Sequence, residues 1–110
     1  MSLTNNGLRD WLIQRVTAIV LAGYFSFLLV MACLQAPLDY VEWAQLFHSP
    51  AMRIFTVLAL LALSAHAWIG LWTVLTDYIK GTALRLFLET VILLMLLSCL
   101  IWGITIIWGV

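Results

Sequence analysis

Three long stretches without a charged residue dominate the chain. The first runs from Val16 to Leu34, 19 residues following Arg15. The second runs from Ile54 to Thr76, bracketed by Arg53 and Asp77, and the third from Thr90 to Val110, 21 residues following Glu89. At 1.5 Å per residue each covers about 28–35 Å, enough for a hydrocarbon layer of roughly 30 Å. Backbone groups in lipid must be satisfied internally, and an open sheet edge cannot be, so these runs predict helices. With their polar flanks the helices are expected over 11–34, 53–78 and 83–109, in a single membrane domain covering 1–110. The expected fold class is all-α, an integral membrane protein with three transmembrane helices.

The connections differ in character. Gln35–Pro50 holds Pro37, Asp39, Glu42, His48 and Pro50, and its middle, Asp39 to Phe47, has the makings of a short interfacial helix. The turn Asp77–Thr82 is tight, and Gly81 suits the C′ position of the preceding helix. Arg9, Arg15, Lys80 and Arg85 fall on one side of the spans and Arg53 alone on the other. By the positive-inside rule the N-terminus and the Asp77–Thr82 turn are expected in the cytoplasm. The long loop and the C-terminus are then periplasmic. Residues 1–15 show neither a signal-peptide pattern nor an Arg-rich, Ser-rich transit pattern, so the first helix is expected to be a retained span.

Composition supports a lipid solvent. Of 110 residues, 65% are hydrophobic and 9% charged, whereas soluble domains are about a quarter charged. Ten charges cannot cover the surface of a soluble domain of this size. Five Lys and Arg balanced by five Asp and Glu leave no basic patch, which excludes a nucleic-acid binder. Cys33 near the outer end of the first span and Cys99 deep in the third lie at different depths, so no disulfide is expected between them.

In so apolar a chain, each polar group at membrane depth is a candidate for function. His66 lies 13 residues from Arg53 and 11 from Asp77, about 20 Å and 16 Å from the two ends and so near the midplane. Ala59, Ala62, Gly70 and Thr73 fall within about 40° of its direction, while Trp68 and Trp72 project elsewhere. An imidazole in a trough of small residues leaves room for something flat and large, such as a haem. The same face equally permits close helix packing, and proton transfer is a third reading. His48, the second histidine, sits in the outer loop and cannot reach the midplane. A six-coordinate haem at His66 therefore needs its other ligand from another chain.

A second constellation lies at the cytoplasmic edge. Arg15 opens the first span, and Asp77 and Tyr78 close the second at the same membrane face. Together they offer a cation, a carboxylate and a phenol at headgroup depth. Taken singly, an Arg there snorkels and a Tyr belongs to an aromatic belt. Trp11, Trp43 and Trp108 read as interface anchors, and Arg85 with Glu89 as an i, i+4 ion pair.

The run Ser64-Ala65-His66-Ala67-Trp68-Ile69-Gly70-Leu71-Trp72-Thr73-Val74-Leu75-Thr76-Asp77-Tyr78 closely resembles the second helix of the smaller hydrophobic membrane-anchor subunit of bacterial succinate dehydrogenase, respiratory complex II. Arg15-Val16-Thr17-Ala18-Ile19-Val20-Leu21 resembles that family's opening of helix one, and Trp108-Gly109-Val110 its C-terminal ending. The segment before Asp10 is less alike. The resemblance implies an electron-transport subunit of the bacterial cell inner membrane that serves the tricarboxylic acid cycle. It implies a second membrane-anchor (cytochrome b) subunit as partner, with one haem b shared between them. Each anchor gives its iron one axial histidine, here His66. It further implies docking of a flavoprotein and an iron–sulfur subunit on the cytoplasmic face, and ubiquinone bound near that face by Tyr78, with Asp77 beside it and Arg15 near the haem propionates and quinone pocket.

Such a chain is a non-catalytic subunit of the enzyme. A fumarate reductase anchor is the nearest competitor. A small multidrug-type transporter protomer would need four spans and a carboxylate deep in the first, which has none after Asp10. A cofactor-free scaffold would show no visible absorbance.

Overall fold

Each apolar run forms a helix that extends well beyond the stretch free of charge. A computed structural model describes residues 7–35 and 39–109, with α1 over Gly7–Leu34, α2 over Tyr40–His48, α3 over Pro50–Tyr78 and α4 over Thr82–Gly109. Pro37, counted in the outer connection, and Val110, the expected end of the third span, lie outside the described residues. The three long helices have 28, 29 and 28 residues, or about 42 Å each, and all are apolar enough to cross a membrane. The chain is a multi-pass membrane protein, and each long helix exceeds the hydrocarbon layer by about two turns in total.

The extra turns have local causes. Pro50 occupies the first position of α3, where its missing N–H costs nothing and its fixed φ suits a helix. α3 therefore starts three residues before the charge boundary at Arg53. α2 begins with a capping box. Asp39 Oδ1 accepts from the Glu42 N–H at 2.9 Å, and Glu42 Oε2 accepts from the Asp39 N–H at 3.4 Å. At the other turn Gly81 does not hold the C′ position expected of it. α3 closes on Ile79, in extended backbone, whose N–H donates to Leu75 O. Gly81 serves the next helix instead, its carbonyl accepting from Arg85 N–H at 2.9 Å to open α4.

α1 and α4 both pack on α3, and α2 packs on its first turns. Arg53 fastens that end. Its Nε donates to Phe47 O at the C-terminus of α2, and its guanidinium lies 5.6 Å from the ring centre of Trp108 on α4. Tyr24, Met52 and Ala59 form a small core there, with Leu28, Leu46, Phe47 and Phe55 packed around it. Elsewhere little is enclosed, and α4 has one buried residue, Ile107. Both cysteines are free, and Arg85 Nε stands 3.9 Å from Glu89 Oε1.

Where α4 crosses α3, Gly103 lets Leu60 approach closely. A Cβ on Gly103 would stand 3.0 Å and 3.1 Å from the two Leu60 methyls. Small residues at such crossings set how near two membrane helices come. Gly103→Ala is expected to be tolerated, because the Leu60 side chain can shift. Gly103→Val is expected to cost about 1–3 kcal/mol through overpacking, read as a lower thermal midpoint of the purified protein.

Candidate functional site

Four polar side chains of α1 share one face. Asp10, Gln14, Thr17 and Tyr24 follow one another at steps of four, three and seven residues, the spacing that returns to the same side of a helix. α3 runs antiparallel beside that face and answers it rung by rung. Tyr24 Oη and Thr56 Oγ1 are 2.9 Å apart and buried. Thr17 Oγ1 lies 3.1 Å from His66 Nδ1. Gln14 Nε2 passes over Gly70, 3.7 Å from where a Cβ would be. Membrane cross-helix hydrogen bonds average only about 0.6 kcal/mol. Their effect here is to set the register of α1 against α3.

This packing corrects part of the trough reading. Ala59 and Ala62 are 4% and 7% exposed, and Gly70 lies beneath Gln14, so the space left by these small residues is taken up largely within the chain. Thr73 is exposed, its hydroxyl donating to its own helix at Ile69 O. Trp72 is half-buried, and its Nε1 is enclosed without a hydrogen bond to a described residue. Gln14 Oε1 and Thr76 Oγ1 are in the same position.

His66 sits in the middle of α3, 16 residues from Pro50 and 12 from Tyr78, and is half-buried. Nδ1 faces Thr17, and Nε2 makes no hydrogen bond with a described residue. Among the described residues no three His, Cys, Asp or Glu side chains are grouped as a metal site. His48 ends α2 and lies 3.4 Å from Arg53 Nη2. The donor set at His66 fits a haem: one imidazole nitrogen is engaged by the protein and the other is left for a metal.

The remaining site residues are not brought together: α1 starts at Gly7 rather than at Arg15, and with Gln14 over Gly70, Arg15 lies roughly 10 Å nearer the midplane than Asp77 and Tyr78. Asp77 and Tyr78 are exposed at the end of α3, Tyr78 by 77%, and neither bonds a described residue. Arg15 points about 100° from Gln14 and about 160° from Thr17 around α1, away from the α1–α3 seam. Its guanidinium lies 5.3 Å from the ring centre of Trp11, one turn back. All three open outward from this chain. The residues that sequence reasoning passed over are Thr17 and Gln14, although the recurrence of α1's polar positions at helical spacing was a signal for both.

Residues 4–106 match the family model described as succinate dehydrogenase/fumarate reductase transmembrane subunit. The succinate dehydrogenase hydrophobic membrane anchor subunit of Coxiella burnetii (strain RSA 493 / Nine Mile phase I) is 39% identical over 105 residues, covering 96% of this chain and 91% of the relative.

Proposed function

The chain belongs to the succinate dehydrogenase/fumarate reductase transmembrane-subunit family, and from that premise we propose that it carries half of a haem b site and part of a ubiquinone site. It is a membrane-anchor subunit, without the catalytic centre of the dehydrogenase. In this reading His66 Nε2 would hold the haem iron, and a second membrane-anchor subunit would provide the other protein ligand. A bound haem would supply one-electron redox capacity. Tyr78 Oη donates to a quinone carbonyl, a bond that strengthens as negative charge develops on that oxygen. Asp77, beside it near water, holds or passes a proton. Arg15 places positive charge between the depths of His66 and Tyr78 and favours electron arrival there.

The observation that carries the reading is His66 at mid-helix with Nδ1 held by Thr17 and Nε2 free of hydrogen bonds to described residues. The orientation is the one expected from the basic residues: the N-terminus and the Asp77–Thr82 turn in the cytoplasm, the C-terminus in the periplasm, and the spans in the bacterial inner membrane. Flavoprotein and iron–sulfur subunits then dock on the face that holds Arg15 and Tyr78. Succinate oxidation is favoured over fumarate reduction because the 39% identical relative is named for succinate dehydrogenase.

Affinity purification of the tagged chain from its native membrane in mild detergent tests this. Co-elution of a second small membrane subunit with a flavoprotein and an iron–sulfur protein is the expected result. The chain expressed by itself is expected to bind little haem. Elution as a homomer, or full bis-histidine haem on this chain alone, overturns the reading.

A further inference from the structure

We propose that Thr17 is the positioning residue of His66: its hydroxyl oxygen accepts from Nδ1–H and so fixes the tautomer that presents Nε2 to iron. The proposal rests on His66 being a haem ligand. A threonine hydroxyl has one proton to give. Three polar atoms surround Thr17 Oγ1: the acceptors Ile13 O at 2.7 Å and Gln14 O at 3.1 Å, and His66 Nδ1 at 3.1 Å. The Ile13 contact has the length usual for an O–H···O bond, and it is the i−4 back-bond that a threonine within a helix commonly makes. With the proton directed there, Oγ1 offers His66 a lone pair, and Nδ1 must carry the hydrogen.

Nε2 keeps its lone pair in the neutral imidazole, the form that binds a metal. An acceptor on Nδ1–H raises the basicity of Nε2 and favours the oxidised iron. The donated Ile13 bond polarises the hydroxyl and makes Oγ1 a better acceptor. The back-bond also holds the χ1 of Thr17, whose side chain is 8% exposed, so α1 fixes the plane of the imidazole on α3. No other described residue bonds Nδ1.

The test uses the complete complex carrying Thr17→Val, Thr17→Ala or Thr17→Ser. Valine keeps the shape and loses the acceptor, alanine loses both without crowding the seam, and serine keeps the hydroxyl. The midpoint potential of the b haem and the low-spin electron paramagnetic resonance of its oxidised form are measured on whatever complex assembles. An upward shift in potential and a changed resonance in the valine and alanine variants are expected, with return toward wild type in the serine variant. Unchanged potential and resonance in the valine and alanine variants overturn the proposal. So does loss of assembly with unaltered properties of the remaining haem, which marks the bond as helix packing only. His66→Ala separates the two layers. If it leaves the low-spin spectrum intact, ligation by His66 fails and this proposal with it; if it alters the spectrum while the valine and alanine variants do not, only the role of Thr17 fails.

Discussion

His66→Ala is expected to convert the low-spin, six-coordinate haem spectrum of the assembled complex into a five-coordinate or weakly ligated one. Alanine removes the imidazole and leaves no described donor in its place, since Thr17 lies on the Nδ1 side of the ring and His48 is held at the far end of α3 by Arg53. Haem content is expected to fall much less than ligation. A porphyrin retains its apolar body, its partner ligand and propionates that can pair with arginine. A spectrum unchanged by this substitution would count against ligation outright.

Tyr78→Phe is expected to lower succinate-to-quinone turnover roughly ten- to hundredfold, the rate equivalent of about 1.5–3 kcal/mol for a hydrogen bond to a charged group. Phenylalanine keeps the ring and whatever packing it makes, so the change isolates the hydroxyl. Because Tyr78 bonds no described residue, its hydroxyl has no competing partner among them to satisfy first. Haem content and succinate oxidation by an artificial acceptor that draws on the flavoprotein are expected to stay near normal. If quinone turnover and quinone-site inhibitor affinity both survive the change, Tyr78 is an interfacial anchor.

The long helices were legible because charge marks them off: uncharged runs of this length have few other stable forms in lipid. α2 was legible too, as a short helix expected from Asp39 to Phe47, while its reciprocal cap between Asp39 and Glu42 came from the structure. Gly81 was misplaced because glycine serves either side of a short turn. The side it serves depends on where the chain leaves α3, and Ile79 ends that helix without a left-handed residue. The small residues around His66 marked a face correctly but could not say what fills it. Periodicity gives direction on one helix and is silent about the neighbour, here α1 with Gln14 over Gly70. Thr17 escaped notice for the same reason, since its importance comes from the residue opposite. Arg15, Asp77 and Tyr78 were grouped by depth alone. Depth does not hold for Arg15, which with Gln14 over Gly70 lies roughly 10 Å nearer the midplane than Asp77, and rotation about α1 turns it toward Trp11 and away from α3.

The most direct test of a shared haem is a quantitative spectrum of the wild-type complex, purified through a tag on this chain and with its subunits identified. Reduced-minus-oxidised absorbance gives the haem per copy of the chain, and near-infrared magnetic circular dichroism of the oxidised form identifies the axial ligands. One b-type haem per chain with two imidazole ligands is the predicted result. An intact complex without b-type absorbance, or with a haem whose axial ligands are not both imidazole, would contradict it.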